Sequence, residues 1–141
     1  MVDVGEKPVT AREAVARASV TMKPGTIAAI RRGRVAKGDV FTVAKTAAIL
    51  AAKRVDELIP LCHSLPLDSV DVRFEVKRDR VQVTACARTH SRTGVEMEAL
   101  TAAAVACLTL YDMCKSMDRS MLIGGLCLLE KKGGRSGHYL R

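Results

Sequence analysis

The segment Gly94-Val95-Glu96-Met97-Glu98 places two carboxylates at the threshold of an alanine-rich helix that later carries Asp112 and Lys115. The stretch between them, Thr101 to Leu110, is small and apolar, so the charges at its two ends are candidates for acid/base or ligand-binding work. At about 100° per residue, Leu100, Ala104, Cys107, Leu108 and Tyr111 fall in one stripe, with Lys115 near its edge. Two readings of Lys115 follow: a helix-end lysine reaching solvent and complementing the helix dipole, or a partly buried ammonium meeting an anionic ligand beside Asp112. Glu98 and Asp112 are fourteen residues apart, about 21 Å along the axis, so they cannot touch one atom. Either they serve opposite ends of an extended ligand, or they belong to different sites completed by another subunit. For Glu96 and Glu98 alone, favourable placement at a helix N-terminus is the simpler explanation.

His63 follows Cys62 in a loop bounded by Pro60 and Pro66. Its ordinary pKa near 6.5 suits proton transfer at neutral pH, although a loop histidine is as readily structural. Adjacent residues in a loop rarely reach the geometry of an activated thiolate, which argues against Cys62 as a nucleophile. Lys37-Gly38-Asp39 and the run from Glu130 to Gly137, with Lys131, Lys132 and Arg135, combine cations with glycine, which lets backbone amides approach phosphate oxygens. Neither is a Walker motif, and the second also reads as a flexible basic end.

The elements that must position these groups follow from periodicity and turn chemistry. After an exposed lead-in, a strand over 11–23 stops at Pro24-Gly25, and Thr26 caps a short helix through Ile30. Asp39 caps a second helix running to Ala52. Two prolines make 58–67 an irregular, partly apolar loop. The alternating runs 70–76 and 81–87 read as an antiparallel hairpin, followed by the long helix 95–115, a buried strand over 121–129 and a glycine-rich basic tail. Together they give an α+β, ferredoxin-like sandwich, a mainly antiparallel sheet with helices on one face.

With 141 residues and no linker-like run, one domain over 1–141 is expected. Apolar residues at 48% against 27% charged exclude disorder as the main state. Apolar runs such as 122–129 are too short for a membrane span and no signal pattern opens the chain, which makes the cytoplasm the default and a membrane role unexpected. Five cysteines with no close pair suggest reduced packing thiols and neither a disulfide framework nor a metal site. A net charge of +8 points to an anionic partner, and the scarcity of aromatics, with no Trp, two Tyr and two Phe, turns that partner away from nucleic acid toward a small phosphorylated molecule.

The ordered segments KGDVF (37–41), AKR (52–54), LIPLCH (58–63), TGVEMEALTA (93–102), LYDMCK (110–115) and KGGRSG (132–137) resemble the molybdenum cofactor biosynthesis protein C family, the cyclic pyranopterin monophosphate synthases. The resemblance spans nearly the whole chain. It implies a lyase that rearranges 3′,8-cyclised dihydro-GTP to the cyclic pyranopterin monophosphate and releases pyrophosphate, with no net redox step. It also implies a homohexamer, a trimer of dimers with active sites at the dimer interface. By the same resemblance the catalytic set falls on Asp112, Lys115, Lys37 and Lys131. Substrate contacts fall on Leu61, Cys62, His63, Glu96, Met97 and Glu98, with Arg135 on phosphate. No resident cofactor is implied, and a magnesium ion on the triphosphate is compatible with it. One departure is Ser64, which stands directly after the loop histidine where family members commonly carry proline. A competing reading is a non-catalytic ferredoxin-like module that senses a nucleotide through the basic loop and tail.

Overall fold

The computed structural model describes Met1–Arg141. Its elements in chain order are β1 (Thr10–Thr21), α1 (Pro24–Arg31), α2 (Val40–Ala52), α3 (Val55–Leu58), β2 (Ser69–Val76), β3 (Arg80–Ser91), α4 (Glu96–Cys114), β4 (Leu122–Lys132) and β5 (Tyr139–Leu140). The five strands form one sheet in the order β2-β3-β1-β4-β5, antiparallel at every pairing. The first four reproduce the ferredoxin-like arrangement expected from the sequence, and the two-residue β5 extends the β4 edge.

Strand alternation sorts the sheet into two faces. Ala14, Ala16, Ala18 and Val20 of β1, with Val81, Val83, Ala85 and Ala87 of β3, point toward the helices and are buried, while Glu13, Arg17, Gln82 and Arg88 point away. Against this face lie α4, through Ala99, Ala102, Ala103, Ala106 and Leu110, and beside it α2, through Ala44, Ala48 and Ala52. Small side chains on sheet and helices allow close approach, so enlarging one of these alanines should cost about 1–3 kcal/mol through overpacking. Phe41 and Phe74, ring centroids 5.0 Å apart, fill the wider gap between α2 and β2.

The hairpin, the Asp39 cap and the long helix lie where periodicity put them. Asp39 accepts hydrogen bonds from the Phe41 and Thr42 amides at 3.1 and 3.2 Å. Three expectations are corrected. On α4 the stripe of Leu100, Ala104, Cys107, Leu108 and Tyr111 is only in part the core: Cys107 is buried and Leu100 and Tyr111 pack at the core's margin, but Leu108 is 57% exposed, and the buried face is rotated to Ala99, Ala102, Ala103, Ala106, Leu110 and Met113. In a helix apolar on nearly every side, hydrophobicity does not select a face, and the close packing takes the alanines. Lys115 therefore does not interrupt a core stripe. At α1, Lys23 occupies the cap position with Pro24 starting the helix, while Thr26 lies inside it and donates to the buried Asp118 carboxylate at 3.5 Å. Finally β4 is not the buried strand expected, with Leu122 and Leu126 exposed on the sheet, and it continues past Leu129 to Lys132, so the start of the basic tail is strand.

By length and composition α4 alone could cross a membrane, but half of its apolar window is buried in the fold, as in a core helix.

Candidate active site

The two ends of α4 carry two different sets of groups. At its C-terminal end, Asp112 sits between two ammonium groups, with Lys37 Nζ 2.6 Å from Oδ2 and Lys115 Nζ 2.7 Å from Oδ1. Lys37 also donates to the Asp112 carbonyl at 3.1 Å. The loop between α1 and α2 brings Lys37 there, anchored by buried Val35 on one side and the Asp39 cap on the other. Lys115 closes the last turn of α4, where the helix dipole favours a cation. All three side chains are about half exposed. Hydrogen bonds from Lys115 first and Lys37 second hold the Asp112 carboxyl down at about 2, and the same contact with Asp112 raises Lys115. The arrangement is an ionised carboxylate bridging two ammonium groups, in which the lysines can donate a proton to a bound substrate and the carboxylate can accept one from it.

At the N-terminal end the chemistry reverses. Glu98 is 4% exposed, and its Oε2 has no hydrogen-bond partner. Burial, with the negative charges of Glu96 and Asp56 adding to it, pushes its carboxyl up to about 7. Glu98 lines a pocket of about 280 Å³ between the start of α4 and the proline-bounded loop, together with Leu61, Cys62, His63, Glu96 and Met97. Thr89 of β3 fixes that loop by donating to the Pro66 carbonyl at 2.5 Å. His63 Nε2 lies 2.9 Å from the Val2 carbonyl. A carbonyl only accepts, so Nε2 carries a proton and Nδ1 is the nitrogen left for exchange. The Cys62 thiol is pushed up by burial and by the nearby Glu98 charge, which fits a packing or contact role and not a nucleophile.

A neighbouring pocket of about 470 Å³ is lined by cations. Lys131 faces Ala14 across the β1–β4 ladder, which turns it inward, and its Nζ lies 3.8 Å from Glu96 Oε1 and donates to Ser136 Oγ. Gly133, at φ +88°, turns the chain back so that Arg135 and Ser136 come beside Lys131; a Cβ there would collide with the Ala11 carbonyl. Arg12 is held by donating from Nε to the Ser91 carbonyl at 3.0 Å and from Nη2 to the Arg92 carbonyl at 3.2 Å. Lys7, Arg12 and Arg92 in this pocket escape a reading of the sequence, because only strand pairing brings 7–12, 91–94 and 131–136 together. The one signal available was Arg92 beside Thr93-Gly94.

One chain thus assembles Lys37 with Asp112 and Lys115, and separately Glu96, Glu98, Met97, His63, Cys62 and Leu61 next to Lys131 and Arg135. The two sets stay about 21 Å apart along α4. No group of three His, Cys, Asp or Glu side chains converges to hold a metal ion.

A family model described as the MoaC family matches residues 1–134. The chain belongs to the MoaC family. Among its MoaC relatives, proteins named cyclic pyranopterin monophosphate synthase are 57% identical in Magnetococcus marinus, 57% in Thermomicrobium roseum and 52% in Brevibacillus brevis. Each alignment covers all of this chain and 88%, 86% and 89% of the respective relative.

Proposed function

We propose that this chain is a cyclic pyranopterin monophosphate synthase of molybdenum cofactor biosynthesis. In this reading it converts (8S)-3′,8-cyclo-7,8-dihydroguanosine 5′-triphosphate to cyclic pyranopterin monophosphate with release of pyrophosphate, a phosphorus–oxygen lyase reaction. The observation that carries the reading is the full-length likeness to synthases at 52–57% identity. What supports it physically is that each half of the site supplies what the other lacks.

Closing the cyclic phosphate requires a sugar hydroxyl to attack the α-phosphorus while the bond to the β-phosphate oxygen breaks. The hydroxyl proton must go to a base, and pyrophosphate must leave with its charge compensated. Lys131, Arg135 and Arg12 hold the triphosphate and compensate that charge. Asp112 between Lys37 and Lys115 moves protons during rearrangement of the purine and ribose. Glu98, half protonated near neutral pH, can give a proton to the bicyclic ring system or take one from it in the pocket shared with Leu61, Cys62, His63 and Met97. Glu96 orients Lys131. A magnesium ion would enter with the triphosphate as part of the substrate.

The 21 Å between the halves supports a site in which the Lys37–Asp112–Lys115 set of one copy faces the Glu98–Lys131 set of another. This fits a single-domain chain assembled as a trimer of dimers in the cytoplasm. Incubating the protein with the cyclised nucleotide should release pyrophosphate and yield a pterin that fluoresces after oxidation. No product above an Asp112→Asn control would overturn the assignment and leave a nucleotide-binding module.

A further inference from the structure

A third concave region lies at the opposite end of β1 from the Arg12–Lys131 pocket. It is a cleft of about 550 Å³ between α1 and the β2–β3 turn, with Ile27 and Val76 in its walls and Arg31, Arg32, Lys77 and Arg78 around it. The Asp79 carbonyl accepts from the Met22 amide at 2.9 Å, which sets the turn against the end of β1. Since nine residue steps of β1 separate Arg12 from Thr21, this end lies about 30 Å from Arg12. The cleft shares no residue with either half of the active site.

Its charge is not explained by internal pairing. Lys77 contacts Glu75, and neighbouring Arg80 pairs with Asp79 at 2.9 Å, but Arg32 and Arg78 are exposed and hold neither a carboxylate nor a hydrogen bond. Arg31 has a different task. Its Nη2 donates to the Val76 and Lys77 carbonyls at 3.2 and 3.4 Å, which fastens α1 to the turn and fixes the spacing of the two walls. Arg32, from the end of α1, and Arg78, from the turn and beside an Asp79 carboxylate already paired with Arg80, therefore line opposite walls of a braced cleft with no ion pair of their own.

We propose that this cleft is a second anion site, taking a small molecule that bears a diphosphate or triphosphate group. Two guanidinium forks on fixed walls match adjacent phosphoryl groups, which offer several acceptor oxygens at once. The volume lies within the ordinary range for small ligands, about 300–1,000 Å³. Its footprint, two turns of helix and one hairpin turn, is far below the roughly 20–30 residues per side of a stable protein interface. The cleft has no aromatic side chain on which a nucleic-acid base could stack. The proposal does not depend on the activity assigned above.

The test is calorimetric titration of pyrophosphate, and separately of ATP, into the full chain carrying K131A and R135A, which weakens the other phosphate pocket by removing two of the three cations assigned to it. One equivalent per chain should still bind. Adding R32Q and R78Q should weaken that binding at least tenfold without lowering the thermal midpoint, while R32K and R78K should keep most of it. Tighter binding of pyrophosphate than of ATP would assign the bare diphosphate, and the reverse a nucleotide. In an otherwise native chain, R32Q and R78Q should leave turnover unchanged. The proposal is overturned if the K131A and R135A chain binds neither anion, if R32Q and R78Q leave its binding intact, or if duplex DNA displaces pyrophosphate at physiological salt.

Discussion

The two ends of α4 carry carboxylates of similar ordinary acidity that the fold drives in opposite directions. Asp112 is half open to solvent and clasped by two ammonium groups, which hold its carboxyl down at about 2. Glu98 is buried with one oxygen unpartnered, and desolvation lifts its carboxyl to about 7. The contrast teaches that charge alone does not mark chemistry in this chain. At one end the ionised form is fixed and steadies two ammonium groups that can give protons to a ligand, while at the other the proton itself is near balance at neutral pH.

The largest expected effect comes from dismantling the ionised end. Lys115→Ala and Asp112→Asn should each reduce turnover by about 10²–10⁴-fold, within the range for general acid–base catalysis. These side chains are half exposed, so the thermal midpoint should barely move. Near-normal turnover in Lys115→Ala would remove it from the chemistry.

Next is Glu98→Gln, which separates the two ends by pH. A carboxyl raised from an ordinary 4.5 to about 7 binds its proton more tightly folded than unfolded. Its contribution to stability is therefore greatest below the unfolded pKa and is lost as pH rises from about 4.5 to 7, by roughly 3 kcal/mol at most. Glu98→Gln should flatten this loss, so denaturant midpoints of variant and native chains should diverge between pH 5 and pH 8 in the variant's favour. A parallel pair of curves would mean that Glu98 is not held protonated. Asp112 has the opposite sign: its lowered pKa favours the fold above the ordinary carboxylate range and is lost only as pH falls through about 2.

The cationic pocket beside Glu98 sets a third level. Arg12→Ala and Arg135→Ala should raise KM about tenfold with a smaller change in kcat, since each removes phosphate binding and neither holds the reacting protons. Equal losses in kcat and kcat/KM would place the residue in the transition state instead. The smallest effect is expected for Ser64→Pro in the loop that carries His63, where a change in thermal midpoint equivalent to less than about 1 kcal/mol should accompany near-native turnover.

The legible parts of this molecule are those governed by local rules. Alternation gave the hairpin of β2 and β3, the Asp39 carboxylate gave the start of α2, and the order of elements gave the ferredoxin-like sheet. The buried face of α4 was not legible, because in a helix so rich in alanine packing distance, and not polarity, selects the face. Nor was the cationic pocket, since Arg12, Arg92 and Lys131 lie on separate segments that meet only through the pairings of β1 with β3 and β4. Glu98 and Asp112 were legible as residues of interest through their place on one helix and the family resemblance, but their opposite acidities needed the burial of one and the lysine clasp on the other.

The central claim is that the two ends of α4 work together only across copies of the chain. It is tested most directly by co-assembling Asp112→Asn with Lys131→Ala chains, each inactive by itself. In a shared site, every mixed pair contains one intact site built from the sound half of each partner, so random equal mixing should restore about a quarter of native turnover. A mixture of Asp112→Asn with Lys115→Ala, both damaged in the same half, should restore none. Failure of the first mixture to recover activity, with mixed assembly verified by mass, would contradict the account.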